Sequence, residues 1–106
     1  MTREEAIATV PVGWRFLIER LYRQKPETCV ILGVRRHGGC LQIRTSPPPP
    51  EYQAQLQAIE RLSTRTCEDW GCNGGRRREL DGETVTLCDA CHLLRGARTE
   101  RKSHDP

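Results

Sequence analysis

The sequence predicts a small α+β protein, an α-β-β-α unit followed by a metal-held module. Three observations carry that prediction. Two stretches repeat their apolar residues at helical spacing, β-branched runs fold back at Gly-Gly with a second hairpin turning at Asp-Gly, and four cysteines stand as two close pairs near the C-terminus. A chain of 106 residues fits one small domain, or two modules too small to stand apart. The spacing divides it into an α-β-β-α unit over 1–64, a zinc-binding module over 65–102 and a disordered tail over 103–106.

The first helix is expected over about 12–24. Trp14, Leu17, Ile18, Leu21 and Tyr22 form one face, and Arg15, Glu19 and Arg23 the other. Glu19 precedes Arg23 by one helical turn, and Pro26 ends the run by restricting Lys25. Trp14 and Tyr22 are large enough to anchor a core.

A hairpin is expected over 29–45, its strands joined by Gly38-Gly39. A two-residue turn sets His37 opposite Cys40 and Val34 opposite Ile43. It gathers Val30, Leu32, Val34, Leu41 and Ile43 on one face, and Arg35, His37, Cys40, Gln42 and Arg44 on the other. Cys29 and Cys40 are then far apart and are read as free thiols. The four prolines 47–50 form a stiff extended entry to a second helix over about 50–63, with Pro50 at its first position and Tyr52, Leu56, Ile59 and Leu62 as its buried stripe. A two-stranded sheet is weak alone, so both helices are expected to pack on one face of it.

Cys67-x4-Cys72 and Cys88-x2-Cys91 are separated by fifteen residues, about what a short hairpin needs to return the second pair to the first. Paired thiolates at this spacing read as one structural, tetrahedral zinc ion held by Cys67, Cys72, Cys88 and Cys91. The charged N-terminus shows no leader-like run and no apolar stretch approaches membrane length, so a cytoplasmic setting is expected, where reduced thiols favour metal over disulfides. Gly71, Gly74 and Gly75 let a knuckle curl around the first pair, Asp81-Gly82 turns a second hairpin, and the second pair opens a last helix. Knuckle, hairpin and helix in this order form a treble-clef-like zinc finger. Its sizeable apolar residues are only Trp70, Leu80, Val85, Leu87, Leu93 and Leu94, too few to fold forty residues unaided. Structural zinc supplies on the order of 10 kcal/mol. His92 is a rival ligand at legal spacing, but thiolate softness favours Cys91, and four cysteines leave no open position for catalysis.

Leu87-Cys88-Asp89-Ala90-Cys91-His92 resembles the tail of zinc-bound HNH endonucleases. Those enzymes also need an Asp-His step on the preceding strand, and none stands between Cys72 and Cys88. Gly13-Trp14, Gly38-Gly39-x-Leu41, Cys67-Glu68 with Gly71-Cys72-Asn73-Gly74, and Leu87-Cys88-x-x-Cys91 together look like small proteins encoded by bacteria and their phages, largely without assigned function. In those the last ligand is often histidine, whereas Cys91 stands at that place here. The resemblance implies an accessory or host-interaction protein of a mobile element; with no catalytic set in the sequence, a non-enzymatic protein that binds a host protein, without a membrane or small-molecule partner, is expected.

Charge bears on the alternative, DNA or RNA binding. The net charge is +3, divided as +4 over 1–66 and −1 over 67–106, which is unlike a protein that coats nucleic acid. Local clusters remain as candidate phosphate or partner contacts: Arg76, Arg77 and Arg78 on the second hairpin, Arg95, Arg98, Arg101 and Lys102 on the last helix, and Arg35 and Arg44 on the first hairpin. Trp70 in the knuckle is the candidate contact for a protein. Glu79, Asp81, Glu83 and Asp89 dilute the basic patch, and strand alternation splits the arginine triplet.

Overall fold

A computed structural model gives the backbone of residues 1–104 and the side chains of residues 1–96. The described residues form four α-helices and two two-stranded antiparallel sheets, an α+β arrangement. The sequence-based expectation lacked the first helix, α1 (Arg3–Thr9). Thr2 accepts from the Glu5 amide and the Glu5 carboxylate accepts from the Thr2 amide, a reciprocal capping box that starts this short helix. A 3-10 turn over Val12–Trp14 leads into α2 (Arg15–Gln24), so the expected helix over 12–24 is tighter in its first residues.

Strands β1 (Ile31–His37) and β2 (Cys40–Thr45) pair in the expected register near the turn, His37 opposite Cys40 and Val34 opposite Ile43. Gly38 and Gly39 both have positive φ, as a tight primed turn requires. Further along, the expected face is wrong. The register shifts between Ile31 and Gly33, so Leu32 is an extra residue and alternation breaks there. Ile31 is buried in place of its neighbours, and Val30 and Leu32 are exposed. The inner face is therefore Ile31, Val34 and Leu41, with Ile43 partly buried beside them.

Helix α3 (Pro50–Ser63) lies along β2 and against α2, while α1 packs across α2 and touches β1. Besides apolar burial, α3 seals the sheet's open edge. The Leu41 amide donates to Ser63 Oγ at 2.8 Å and the Ile43 amide to Glu60 Oε2 at 2.9 Å. Edge amides that would otherwise recruit another strand are thus satisfied within the chain. The core joins Ala6, Trp14, Leu17, Ile18, Leu21, Cys29, Ile31, Val34, Leu41, Tyr52, Leu56 and Ile59. Cys29 and Cys40 are free thiols.

The second hairpin, β3 (Arg76–Leu80) and β4 (Glu83–Leu87), turns at Asp81 and Gly82, both with positive φ, and α4 (Asp89–His104) follows. Ser103 and His104 thus belong to α4, where a disordered tail was expected; Asp105 and Pro106 lie outside the described residues. The core of this part is smaller than the sequence count suggests. It consists of Val85, Leu87, Cys67, Cys88 and Cys91, with Leu80 at its margin. Trp70, Leu93 and Leu94 are exposed.

The two parts meet closely. The Gly13 amide donates to the Glu68 carbonyl at 2.7 Å, and the Trp14 indole donates to the Thr66 carbonyl at 3.0 Å. Thr86 Oγ1 donates to the Gly39 carbonyl at 2.6 Å, which docks the first hairpin's turn on β4. A Cβ on Gly13 would sit 2.1 Å from the Cys67 carbonyl oxygen, so glycine is needed there for close backbone approach.

Candidate metal centre

The knuckle is built by local backbone bonds. Cys67 N donates to the Cys72 carbonyl at 3.0 Å, and Gly71 N to the Cys67 carbonyl at 2.8 Å, with Gly71 in the left-handed conformation. The Gly75 amide then reaches back to the Arg65 carbonyl at 2.9 Å and starts the chain into β3. On the other side Cys88 directly precedes α4, and Cys91 lies in its first turn. The Cys91 amide points at Cys88 Sγ, 3.5 Å away, and holds that thiol down to about 7. An amide at a helix start stabilises a thiolate in this way.

The sulfurs of Cys67, Cys72 and Cys88 lie within 4.8 Å of one another. The buried Cys91 thiol interacts with those of Cys88 and Cys67, and burial pushes its pKa up. Four sulfurs around one zinc at the usual bond length stand about 3.8 Å apart. The cluster therefore fits a metal ion held by Cys67, Cys72 and Cys88 with Cys91. Cys67, Cys88 and Cys91 are buried, and Cys72 faces solvent. Among the described residues no other group of three or more Cys, His, Asp or Glu side chains converges in this way. His92 is not in the cluster, and its Nδ1 is buried without a hydrogen-bond partner.

Glu68, adjacent to Cys67, has a role that the sequence pattern did not assign. It is 3% exposed and ties the site to the rest of the protein. One carboxylate oxygen accepts from Arg36 Nε on β1, and the other accepts from the Thr86 amide on β4. The Arg36 guanidinium also donates to the Thr84 carbonyl at 2.7 Å. The signal available in sequence was the pairing of Arg36 with the inner-facing run of β1, an odd place for a cation unless a buried carboxylate awaits it. Asp69, the next residue, receives a two-pronged bond from Arg95 of α4.

Of the six candidate contact arginines whose side chains are described, four are bonded within the chain. Arg77 donates to the Gly38 carbonyl at 3.0 Å, Arg78 to the Leu87 carbonyl and Asp89, Arg95 to Asp69, and Arg35 to Gln42 at 2.7 Å. Arg35, Arg44, Arg76 and Arg77 are exposed. The backbones of Arg98, Arg101 and Lys102 belong to α4, and their side chains lie outside the described residues. Trp70 is 62% exposed, a solvent-facing indole on the knuckle. No helix among the described residues is long and apolar enough to cross a membrane. Comparison of the chain with protein-family models, curated proteins and solved structures finds no match.

Proposed function

We propose that the chain is a non-enzymatic, zinc-binding interaction protein that binds and modulates a host protein on behalf of a phage or other mobile element. Zinc occupies the four-cysteine cluster in a treble-clef-like arrangement and serves structure, since four thiolates leave no position for substrate or water. The observation that carries the interaction reading is the side-chain accounting around the cluster. Four of the arginines suited to phosphate are tied to carboxylates, carbonyls or an amide oxygen, while Trp70, Leu93 and Leu94 are exposed on the cysteine-bearing module. Exposed aromatic and aliphatic side chains on a rigid support are how protein surfaces anchor partners.

The supporting experiment compares two ligand classes on zinc-loaded protein. Protein binding predicts specific cross-links from Trp70-bearing surface to a host protein, lost in Trp70→Ala. It also predicts no salt-sensitive binding to duplex DNA or RNA. Steep loss of oligonucleotide binding with salt, eased by Arg76→Ala, would favour the nucleic-acid alternative. That alternative draws on exposed Arg44 and Arg76 and on the basic run Arg98, Arg101 and Lys102 along α4.

A further inference from the structure

Beside the cysteine cluster a cleft of about 550 Å³ opens between the knuckle, the β3–β4 turn and the start of α4. Val85 and Leu80 form its apolar floor, and Val12, Trp70 and Leu94 stand around it, 75%, 62% and 51% exposed. Large apolar side chains this exposed, gathered around one concavity, are not what a solvated rim requires. We propose that this cleft docks a basic polypeptide segment of the partner, an apolar side chain entering beside Trp70 and a neighbouring lysine or arginine meeting Asp81 and Glu83. The proposal rests on the protein-binding reading above and names the chemistry of the partner.

The charge pattern selects that occupant. Asp81 lies in the tight turn and Glu83 directly follows it, and both are exposed. The guanidinium of Arg36 is shared between buried Glu68 and Glu83, the latter at 3.6 Å, so one cation serves two carboxylates and Asp81 adds a third. Asp69 and Arg95, the remaining charged residues of the cleft, neutralise each other. The cleft is thus apolar at its base and net negative at its lip. Phosphates are repelled by such a lip, so the exposed indole is a poor stacking platform for bases here, whereas a cationic peptide gains both the apolar contact and the charge. An ammonium or guanidinium is also attracted to the face of an indole.

The test titrates isotopically labelled, zinc-loaded full chain with a capped hexapeptide of alternating leucine and arginine. A leucine–glutamate hexapeptide and a short DNA duplex serve as parallel probes. The expected result is movement of the Trp70 indole and of the Val12 and Asp81 amides with the arginine peptide alone. Asp81→Asn with Glu83→Gln weakens this binding roughly five- to tenfold at low salt, the scale of two exposed charges. Trp70→Ala abolishes it while zinc content and melting temperature stay unchanged. Equal binding of the glutamate peptide, resonance shifts confined to another face, or no shift at millimolar peptide would each overturn the cleft assignment. Salt-sensitive DNA binding that Arg76→Ala weakens would overturn the broader protein-binding reading instead, so the two failures are distinguishable.

Discussion

Arg36 on β1 and the buried carboxylate of Glu68 in the cysteine knuckle form an ion pair that fastens the first hairpin to the cysteine cluster. Glu68 is 3% exposed, and its second oxygen is taken by the Thr86 amide, so the carboxylate has exchanged water for fixed donors. Removing one partner of such a pair strands the other charge, at a cost of about 3–5 kcal/mol. Arg36→Ala is therefore expected to lower stability by about 3 kcal/mol in denaturant unfolding. Arg36→Met with Glu68→Gln is expected to recover part of it, because no unpaired charge is then buried. A loss under about 0.5 kcal/mol for Arg36→Ala, the range of ordinary surface changes, would show that the pair does not couple the two parts.

Gly13 is expected to reject even a methyl group. The added Cβ would meet the Cys67 carbonyl oxygen at 2.1 Å and the Glu68 carbonyl carbon at 2.6 Å, both backbone atoms that cannot step aside. Gly13→Ala should lose about 2–3 kcal/mol, the scale of an overpacked interior. By contrast Gly33→Ala, whose Cβ meets nothing within 4 Å, should be close to neutral. Thermal melts of the two variants side by side decide it.

The bulge at Leu32 gives a sharp contrast between neighbours. Ile31→Ala should cost about 2–4 kcal/mol, because Ile31 is 2% exposed in the core. Leu32→Ala should change little, because Leu32 is 52% exposed. Uninterrupted alternation predicts the reverse, so equilibrium unfolding of the pair tests the register directly.

Tyr52 links stability to alkaline pH. Its hydroxyl donates to the Leu21 carbonyl at 2.8 Å, and burial pushes its pKa up to about 12. A folded-state pKa above that of the unfolded chain means the stabilisation is complete below about pH 10 and is lost as pH rises toward about 12. Wild-type stability should therefore fall across this window, and Tyr52→Phe should flatten the fall.

Much of this architecture was legible because local patterns agreed with one another. The Gly-Gly and Asp-Gly turns, the proline entry to α3 and the paired cysteines each act over a few residues, and each appears where the sequence places it. Helix α1 was equally local. Thr2 and Glu5 spell a capping box, but Ala6, Ile7 and Val10 make too short a stripe to stand out by periodicity. The β1 bulge was not legible, because large apolar residues run without a break from Val30 to Val34 except at Gly33, and either register offers apolar side chains to the core. The joining of the two parts was hidden for a different reason. Glu68 reads as an ordinary surface acid beside Cys67, and only long-range pairing with Arg36 and Thr86 shows why it is buried. Likewise Asp69, Asp89 and the Gly38 carbonyl hold three of the arginines that the sequence offers to phosphate, through long-range contacts that spacing does not show.

The most direct test of the account is the zinc content of reduced, purified protein, for wild type, the four single cysteine-to-serine variants at 67, 72, 88 and 91, and His92→Ala. One zinc per chain is expected in wild type and His92→Ala. Each serine variant should lose tight binding and the cooperative unfolding of residues beyond Thr66, since Val85 and Leu87 are a core too small to persist without the metal. Absence of tightly bound metal in wild type, or a Cys91→Ser protein that keeps its zinc while His92→Ala loses it, would contradict the four-thiolate centre.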